Sequence, residues 1–298
     1  MATIKTVGII GAGQMGNGIA QCFATAGYQV SLHDVSVDVL HKAAATIEKN
    51  LNHMLAKEKI TQQDLAGSLV NLSLTNDIAN LGGCDLVIEA ATENEEIKTR
   101  IFDTLGKSLE AHTILATNTS SISVTRLASG TDRPEKFMGV HFMNPVSVMR
   151  LVELIRGIAT SEDTFQSVSS TIERLGKSIA SAENYPAFIV NRVLIPMINE
   201  AVYALYEGVG GVASIDASLK LGANHPIGPL ELGDFIGLDI CLAIMKPLHD
   251  GLSDTKYRPC PLLVKYVEAG WLGRKSGRGF YDYRGETPTP TRSMEMPK

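Results

Sequence analysis

Two small groups of residues in this chain have the types and spacing to do chemistry. The first is Gly11-Ala-Gly13-Gln14-Met15-Gly16, which follows the apolar run Thr6-Val-Gly-Ile-Ile10 and opens a helical pattern. There each glycine has a use. Gly11 permits a tight turn, Gly13 lets the backbone approach a pyrophosphate, and Gly16 allows a helix to pack closely on a strand. Gln14 and Met15 fall in the helix's first turn, whose N–H groups and dipole favour phosphate. Asp34 ends the next apolar run, 18 residues past Gly16. A carboxylate there accepts bonds from ribose hydroxyls and repels a 2′-phosphate. Together these residues point to NAD, with NADH preferred. His33 and Lys42 nearby could soften that preference, so NADP stays open. The competing reading is a glycine turn on a similar fold that binds FAD or nothing.

The second group is His141 and Glu153. His141 closes one apolar run and Glu153 lies between Val152 and Leu154 in the next. A carboxylate in such a run is costly to bury unless paired. A histidine is its natural partner, and the pair suits proton exchange with a hydroxyl or carbonyl. The competing reading of His141 is a structural histidine. Polar residues also mark other run ends: Glu89-Ala-Ala-Thr-Glu93-Asn, Thr117-Asn118-Thr-Ser120-Ser121, Asn144-Pro145 and Asn191-Arg192. In an open α/β sheet, ligands sit beyond the carboxyl ends of the strands.

The elements that must position these residues alternate. Strands are expected at Thr6–Ile10, Tyr28–His33, weakly at Leu72 and Leu74, then at Cys84–Ala90, Thr113–Thr117, Phe137–Phe142 and Leu151–Ile155. Helical patterns separate them, including Gln14–Ala26, a long helix from about Ser36 to Lys59 bent into a hairpin with the segment after Thr61, and Glu95–Leu109. A further helix is expected with Thr160 as its cap and Gly176 at its end. The series implies right-handed crossovers: a Rossmann-like, doubly wound α/β fold with a mostly parallel sheet. Strand signals cease after about Ala182. Helices are then expected at Phe188–Glu207, Ser214–Leu221, Pro229–His249 and Leu262–Ala269. The expected division is therefore residues 1–184 for a nucleotide-binding domain holding the His141/Glu153 pair, and 185–298 for an all-helical C-terminal domain. The tail past Arg284 reads as frayed and without chemistry. No internal repeat is evident.

Bulk properties narrow the class. The 298 residues carry a formal net charge of −5, with 44% hydrophobic and 20% charged residues. That is ordinary globular composition, and it lacks the basic face a nucleic-acid binder needs. The four cysteines, Cys22, Cys84, Cys241 and Cys260, form no C-x-x-C pair, so no metal is expected. Met1-Ala2-Thr3 runs straight into a strand pattern, and no apolar run reaches 18 residues, so a cytoplasmic location without a membrane span is expected.

The chain resembles the short-chain L-3-hydroxyacyl-CoA dehydrogenases, and within them the bacterial 3-hydroxybutyryl-CoA dehydrogenases. The resemblance runs through Gly11–Ala20, Glu89–Asn94, Asn118–Ile122, His141–Val146, Phe188–Arg192, His225–Leu230 with Asp234 and Gly237-Leu-Asp239, and Gly273–Tyr281. It implies that His141 is the general acid/base and Glu153 its partner. Ser120 and Asn191 would hold the substrate's 3-oxygen and thioester region, with Asn144 supporting the histidine and lying by the cofactor. Glu93, Lys98 and Asn118 would contact the nicotinamide half of NAD, and Asp34 the adenosine ribose. The substrate implied is an acyl-CoA, acetoacetyl-CoA in the reducing direction, in butanoate or fatty-acid metabolism. Of Lys49, Lys57 and Lys59, Lys57 is assigned to coenzyme A phosphate. The plainer alternatives are that Ser120 caps a helix, Asn191 is a docking hydrogen bond, and Lys98 and the other lysines are solvated. The family more often has glycine at Ala187, a small residue at Tyr185 and proline at Ser147, departures that bear on acyl chain length. A homodimer through the helical domain is expected from apolar helices around Met197, Leu230 and Ile244. The rival functions are a free hydroxyacid or sugar-acid dehydrogenase, or a crystallin-like structural protein; a buried His141/Glu153 pair speaks against the latter.

Overall fold

The computed structural model describes residues 3–292. It divides into two compact units between Phe188 and Ile189.

The first unit opens with β1 (Thr6–Ile10), α1 (Gln14–Thr25) and β2 (Gln29–His33), followed by the helical hairpin α2 (Val37–Ala56) and α3 (Gln62–Val70). Then come β3 (Leu72–Thr75), β4 (Leu86–Glu89), α4 (Glu95–Ser108), β5 (Ile114–Thr117), α5 (Val124–Ser129), β6 (Phe137–Phe142), β7 (Leu151–Arg156), α6 (Glu162–Arg174) and β8 (Ser178–Glu183). The eight strands form one sheet in the order β3-β2-β1-β4-β5-β6-β7-β8. All pairings are parallel except β6 with β7. This is a Rossmann-like doubly wound sheet.

Strand alternation sorts the side chains onto two faces. Leu86, Ile88, Ala116, Met138, Val140, Val152 and Leu154 pack with Ile19 and Phe23 of α1, Ile47 of α2 and Val168 of α6. Val87, Leu115, Phe137 and Ile155 pack with Phe102 and Leu105 of α4 and Val124 and Leu127 of α5. The same alternation places Glu89, Thr117, His141 and Glu153 on the α4/α5 face, all buried. Gly139 lies on that face too, where a Cβ would come within 2.9 Å of Val124 and Ile155. The site residues therefore lie in one polar row along one face.

One cap differs from expectation. Ser161, not Thr160, caps α6, accepting a bond from Thr164 N–H. Thr160 instead donates to the Phe137 carbonyl at 2.6 Å and accepts from Gly157 N–H. Ser123 caps α5, which removes the plainer alternative of Ser120 as a helix cap.

The second unit is helical: α7 (Val190–Tyr206), α8 (Val212–Ala217), α9 (Pro229–Ile236), α10 (Leu238–Leu252) and α11 (Pro261–Glu268). The single helix expected over Pro229–His249 is broken at Gly237, whose φ of 108° an L side chain rarely adopts. The unit is not wholly helical, because β9 (Tyr281–Asp282) pairs antiparallel with β10 (Thr289–Pro290). The tail is thus tied down as far as Thr291, which donates to the carbonyls of Phe280 and Gly279. Residues 293–298 lie outside the described residues. Buried Asp216 accepts from the N–H groups of Leu230 and Glu231 and from the Tyr281 hydroxyl. Buried Asp234 accepts from Phe280 N–H, Tyr281 N–H and the Tyr283 hydroxyl. Among the described residues, no helix is long and apolar enough to cross a membrane.

Candidate active site

At the glycine loop, Gly11 has φ 93°, and a Cβ there would lie 2.5 Å from Ala91 Cα. At Gly16 a Cβ would fall 1.7 Å from the Gly11 carbonyl oxygen, so this glycine serves the loop itself as well as helix–strand packing. Gly13 is different, since a Cβ there would meet nothing within 4 Å. It is the N-cap of α1, no side chain caps that helix, and no acidic residue stands in its first turn. Open space over an uncapped helix N-terminus fits a dinucleotide pyrophosphate. Gln14 is exposed there, whereas Met15 packs partly against the core.

Asp34 holds the loop from the side. Its Oδ2 accepts from Ala12 N–H at 2.9 Å and its Oδ1 from Ser36 N–H at 3.0 Å. A carboxylate has further lone pairs, so a ribose hydroxyl remains within its capacity. His33 is buried beside it with Nδ1 lacking a hydrogen-bond partner, and burial holds its imidazole below the ordinary histidine range. A neutral ring supplies no charge for a 2′-phosphate.

His141 and Glu153 face each other across the antiparallel β6–β7 pair. Nδ1 of His141 lies 2.7 Å from Glu153 Oε2. Glu153 has no exposed surface, and His141 keeps 7%. A carboxylate at that distance requires Nδ1 to carry the proton, which leaves Nε2 as the proton acceptor. The ring packs on Phe188, with centroids 5.7 Å apart. Phe188 and Ala187 both have positive φ, 55° and 62°, a backbone region that glycine adopts at least cost.

The remaining expected residues divide into those that touch one another and those that stand apart. Oε1 of Glu93 gathers Thr119 Oγ1, both N–H and Oγ of Ser120, and both N–H and Oγ of Ser121, at 2.8–3.0 Å. Ser120 has one hydroxyl proton and gives it to Glu93, so it must turn to donate elsewhere. Asn118 N–H donates to the Glu89 carbonyl, and its Oδ1 accepts from Phe142 N–H at 2.8 Å. Asn144 makes no hydrogen bond to His141 among the described residues. It precedes a cis proline and lines a cleft of about 210 Å3 with Gln14, Asn17, Gln21, Asn50 and Val146. Lys57 is exposed at the end of α2, two helical turns beyond Asn50. Asn191 lies in the first turn of α7, in the second unit.

Lys98 departs most from its plainer alternative, a solvated lysine. The helix face that carries it is not solvated: the side chain is buried, with Nζ 2.5 Å from Glu89 Oε2 and 4.0 Å from Glu93 Oε2. Glu89, noted in sequence as a polar run end but given no role, also accepts from Thr117 Oγ1 at 2.9 Å and Ala91 N–H at 2.8 Å. The signal was present, since a carboxylate ending Leu86-Val-Ile-Glu89 is as costly to bury as Glu153.

A glycine loop on a doubly wound sheet, with a buried histidine–carboxylate pair on the same sheet, is the architecture of an NAD-dependent dehydrogenase. The chain belongs to the 3-hydroxyacyl-CoA dehydrogenase family, matching that family's NAD binding domain over residues 6–184 and its C-terminal domain over 188–283. It is 60% identical over 291 residues to 3-hydroxybutyryl-CoA dehydrogenase of Bradyrhizobium diazoefficiens, covering 98% of this chain and 99% of that one. It is 40% identical over 289 residues to the human mitochondrial hydroxyacyl-coenzyme A dehydrogenase, covering 94% and 92%. The crystal structure of (S)-3-hydroxybutyryl-CoA dehydrogenase from Ralstonia eutropha superposes with a TM-score of 0.93 at 48% identity, covering 95% of this chain and all of that one.

Proposed function

We propose that this chain interconverts (S)-3-hydroxybutyryl-CoA and acetoacetyl-CoA, with His141 as the proton carrier. The observation that carries the reading is the buried His141–Glu153 pair at 2.7 Å. In the oxidative direction Nε2 of His141 takes the proton of the C3 hydroxyl, while Glu153 holds Nδ1–H and stabilises the imidazolium. The Gly11–Gly16 loop and Asp34 would hold NAD, which would supply the hydride acceptor for C3 in this direction and the donor in reverse. The Gly13 opening and Asp34 favour NADH over NADPH, and Glu93 and Asn118 stand at the carboxyl ends of β4 and β5 for the nicotinamide half. The Asn50-lined cleft and Lys57 along the same helix support a path for the coenzyme A portion. Ser120 turns from Glu93 to the substrate's 3-oxygen. Asn191 keeps the role that the resemblance gives it, a hydrogen bond to the thioester region.

A homodimer through the helical unit is part of this reading. Leu230 and Ile244, expected to carry excess apolar surface, are core residues. The apolar exposure in that unit lies instead at Val193, Tyr206, Val209, Leu221, Phe235 and Ile240. Burying such surface against a second copy is the usual remedy.

The test follows NADH consumption with acetoacetyl-CoA, longer 3-ketoacyl-CoAs and free 3-keto acids, and repeats it with NADPH. The reading expects acetoacetyl-CoA and NADH to give the highest kcat/KM. A free acid as the better substrate would refute the acyl-CoA assignment, and an NADPH preference would refute the role of Asp34.

A further inference from the structure

Phe188 closes the first unit and packs its ring on the imidazole of His141, with centroids 5.7 Å apart and planes tilted by 58°. The backbone that delivers the ring is strained. Ala187 and Phe188 are adjacent non-glycine residues in the left-handed region, at φ 62° and 55°, and both are buried. Such a pair persists only where its surroundings over-determine it. Asn184 supplies the anchor by committing both ends of its carboxamide to the start of α5. Its Oδ1 accepts from Val124 N–H at 3.0 Å, and its Nδ2 donates to Ser123 Oγ at 3.0 Å and to Thr125 Oγ1 at 2.8 Å. Phe188 N–H donates to the Tyr185 carbonyl at 3.1 Å. Its side chain belongs to the same apolar cluster as Ile122, Val124 and Ile155, the last two residues past Glu153 on β7.

We propose that Phe188 is a positioning residue for the proton carrier: its ring fixes the His141 imidazole and shields the bond to Glu153 from water, and Asn184 locks it in place. The proposal rests on the reading of His141 as proton carrier. Water admitted beside the ring would compete for Nδ1–H and screen the Glu153 charge that the imidazolium needs. An imidazole free to shift by about 1 Å would also misplace Nε2.

The experiment compares the wild type with Phe188→Leu, Asn184→Ala and Asn184→Asp. It measures kcat and KM for acetoacetyl-CoA, the NADH Kd by fluorescence and, in the free enzyme, the far-downfield proton resonance of His141 Nδ1–H. A misplaced catalytic group costs on the order of 100-fold, so Phe188→Leu should lower kcat by about 10- to 100-fold. KM and the NADH Kd should stay within about threefold of wild type, because uniform binding is untouched. The Nδ1–H proton should exchange with water at least about tenfold faster, since its bond loses its cover. Asn184→Ala should move kcat and the exchange rate the same way by a smaller factor, and it carries the test if Phe188→Leu does not fold. Asn184→Asp keeps an acceptor for Val124 N–H and for both hydroxyls, so it should restore the wild-type values. Wild-type kcat in Phe188→Leu, or in Asn184→Ala where that variant carries the test, would overturn the proposal. A kcat that falls while Nδ1–H exchange stays at the wild-type rate would overturn it too, as a loss of general packing. So would a KM that rises alone, which would make Phe188 a substrate contact. A wild type that shows the resonance but does not turn over acetoacetyl-CoA would instead fail the functional reading.

Discussion

Replacing Glu153 by Gln tests the centre of the site with almost no change of shape. The carboxylate is fully buried and bonds His141 Nδ1 at 2.7 Å. Gln keeps an oxygen that can accept the Nδ1 proton, so ring orientation and tautomer survive, but the negative charge is lost. That charge matters only when the ring carries its second proton. At roughly 4 Å between charge centres and an effective dielectric of about 20, the attraction is about 4 kcal/mol. Each 1.36 kcal/mol is tenfold in rate, so losing it from the transition state predicts a fall in kcat of about 10³. Uniform substrate binding is unaffected, so KM for acetoacetyl-CoA should change little. Steady-state NADH consumption reads both constants. His141→Gln removes the proton carrier itself and should cost about 10²–10⁴. If the two residues act as a unit, the double variant His141→Gln/Glu153→Gln should be no slower than the slower single one. A Glu153→Gln enzyme within tenfold of wild-type kcat, or a double variant whose losses multiply, would refute the reasoning.

Two further outcomes follow from the geometry. Gly13→Ala, whose Cβ meets no protein atom, should melt with the wild type yet bind NADH at least about tenfold more weakly, since the methyl group fills the space over the α1 N-terminus. Gly16→Ala sets a Cβ 1.7 Å from a backbone oxygen and should lose at least about 3 kcal/mol of stability by denaturant titration. In the second unit, burial outweighs three donors and pushes Asp234 up to about 6, against an ordinary 3.8. The folded state therefore favours the protonated acid, and the stability this contributes, up to about 3 kcal/mol, is present below pH 3.8 and lost as pH rises through about 6. Melting temperatures across that window should fall relative to Asp234→Asn, and parallel curves would refute it.

Much of the first unit was legible because its signals are local. A glycine loop between an apolar strand and a helix, with an acid closing the next strand, is a contiguous pattern whose physical reason is steric, and it led to NAD. Glu153 was legible as a buried charge in need of a partner. Lys98 was not. Helix periodicity cannot say that another element covers a face, and the covering partner, Glu89, lies nine residues earlier on a different element. The cap of α6 was misplaced by one residue, because Thr160 finds a tertiary partner in the Phe137 carbonyl. The hairpin at Tyr281–Asp282 and Thr289–Pro290 was missed because two-residue strands leave no period to read.

The sequence by itself determined the alternating α/β order, the helical second part, the dinucleotide loop and the pairing of one histidine with one glutamate. These follow from periodicity, from glycine's freedom and from the cost of burying charge, all of which act along the chain. Only the tertiary structure decided that Glu89, Thr117, His141 and Glu153 lie on one face of the sheet, and that Lys98 is buried against Glu89. Strand order and register set which residues share a face, and those are properties of pairings between distant segments.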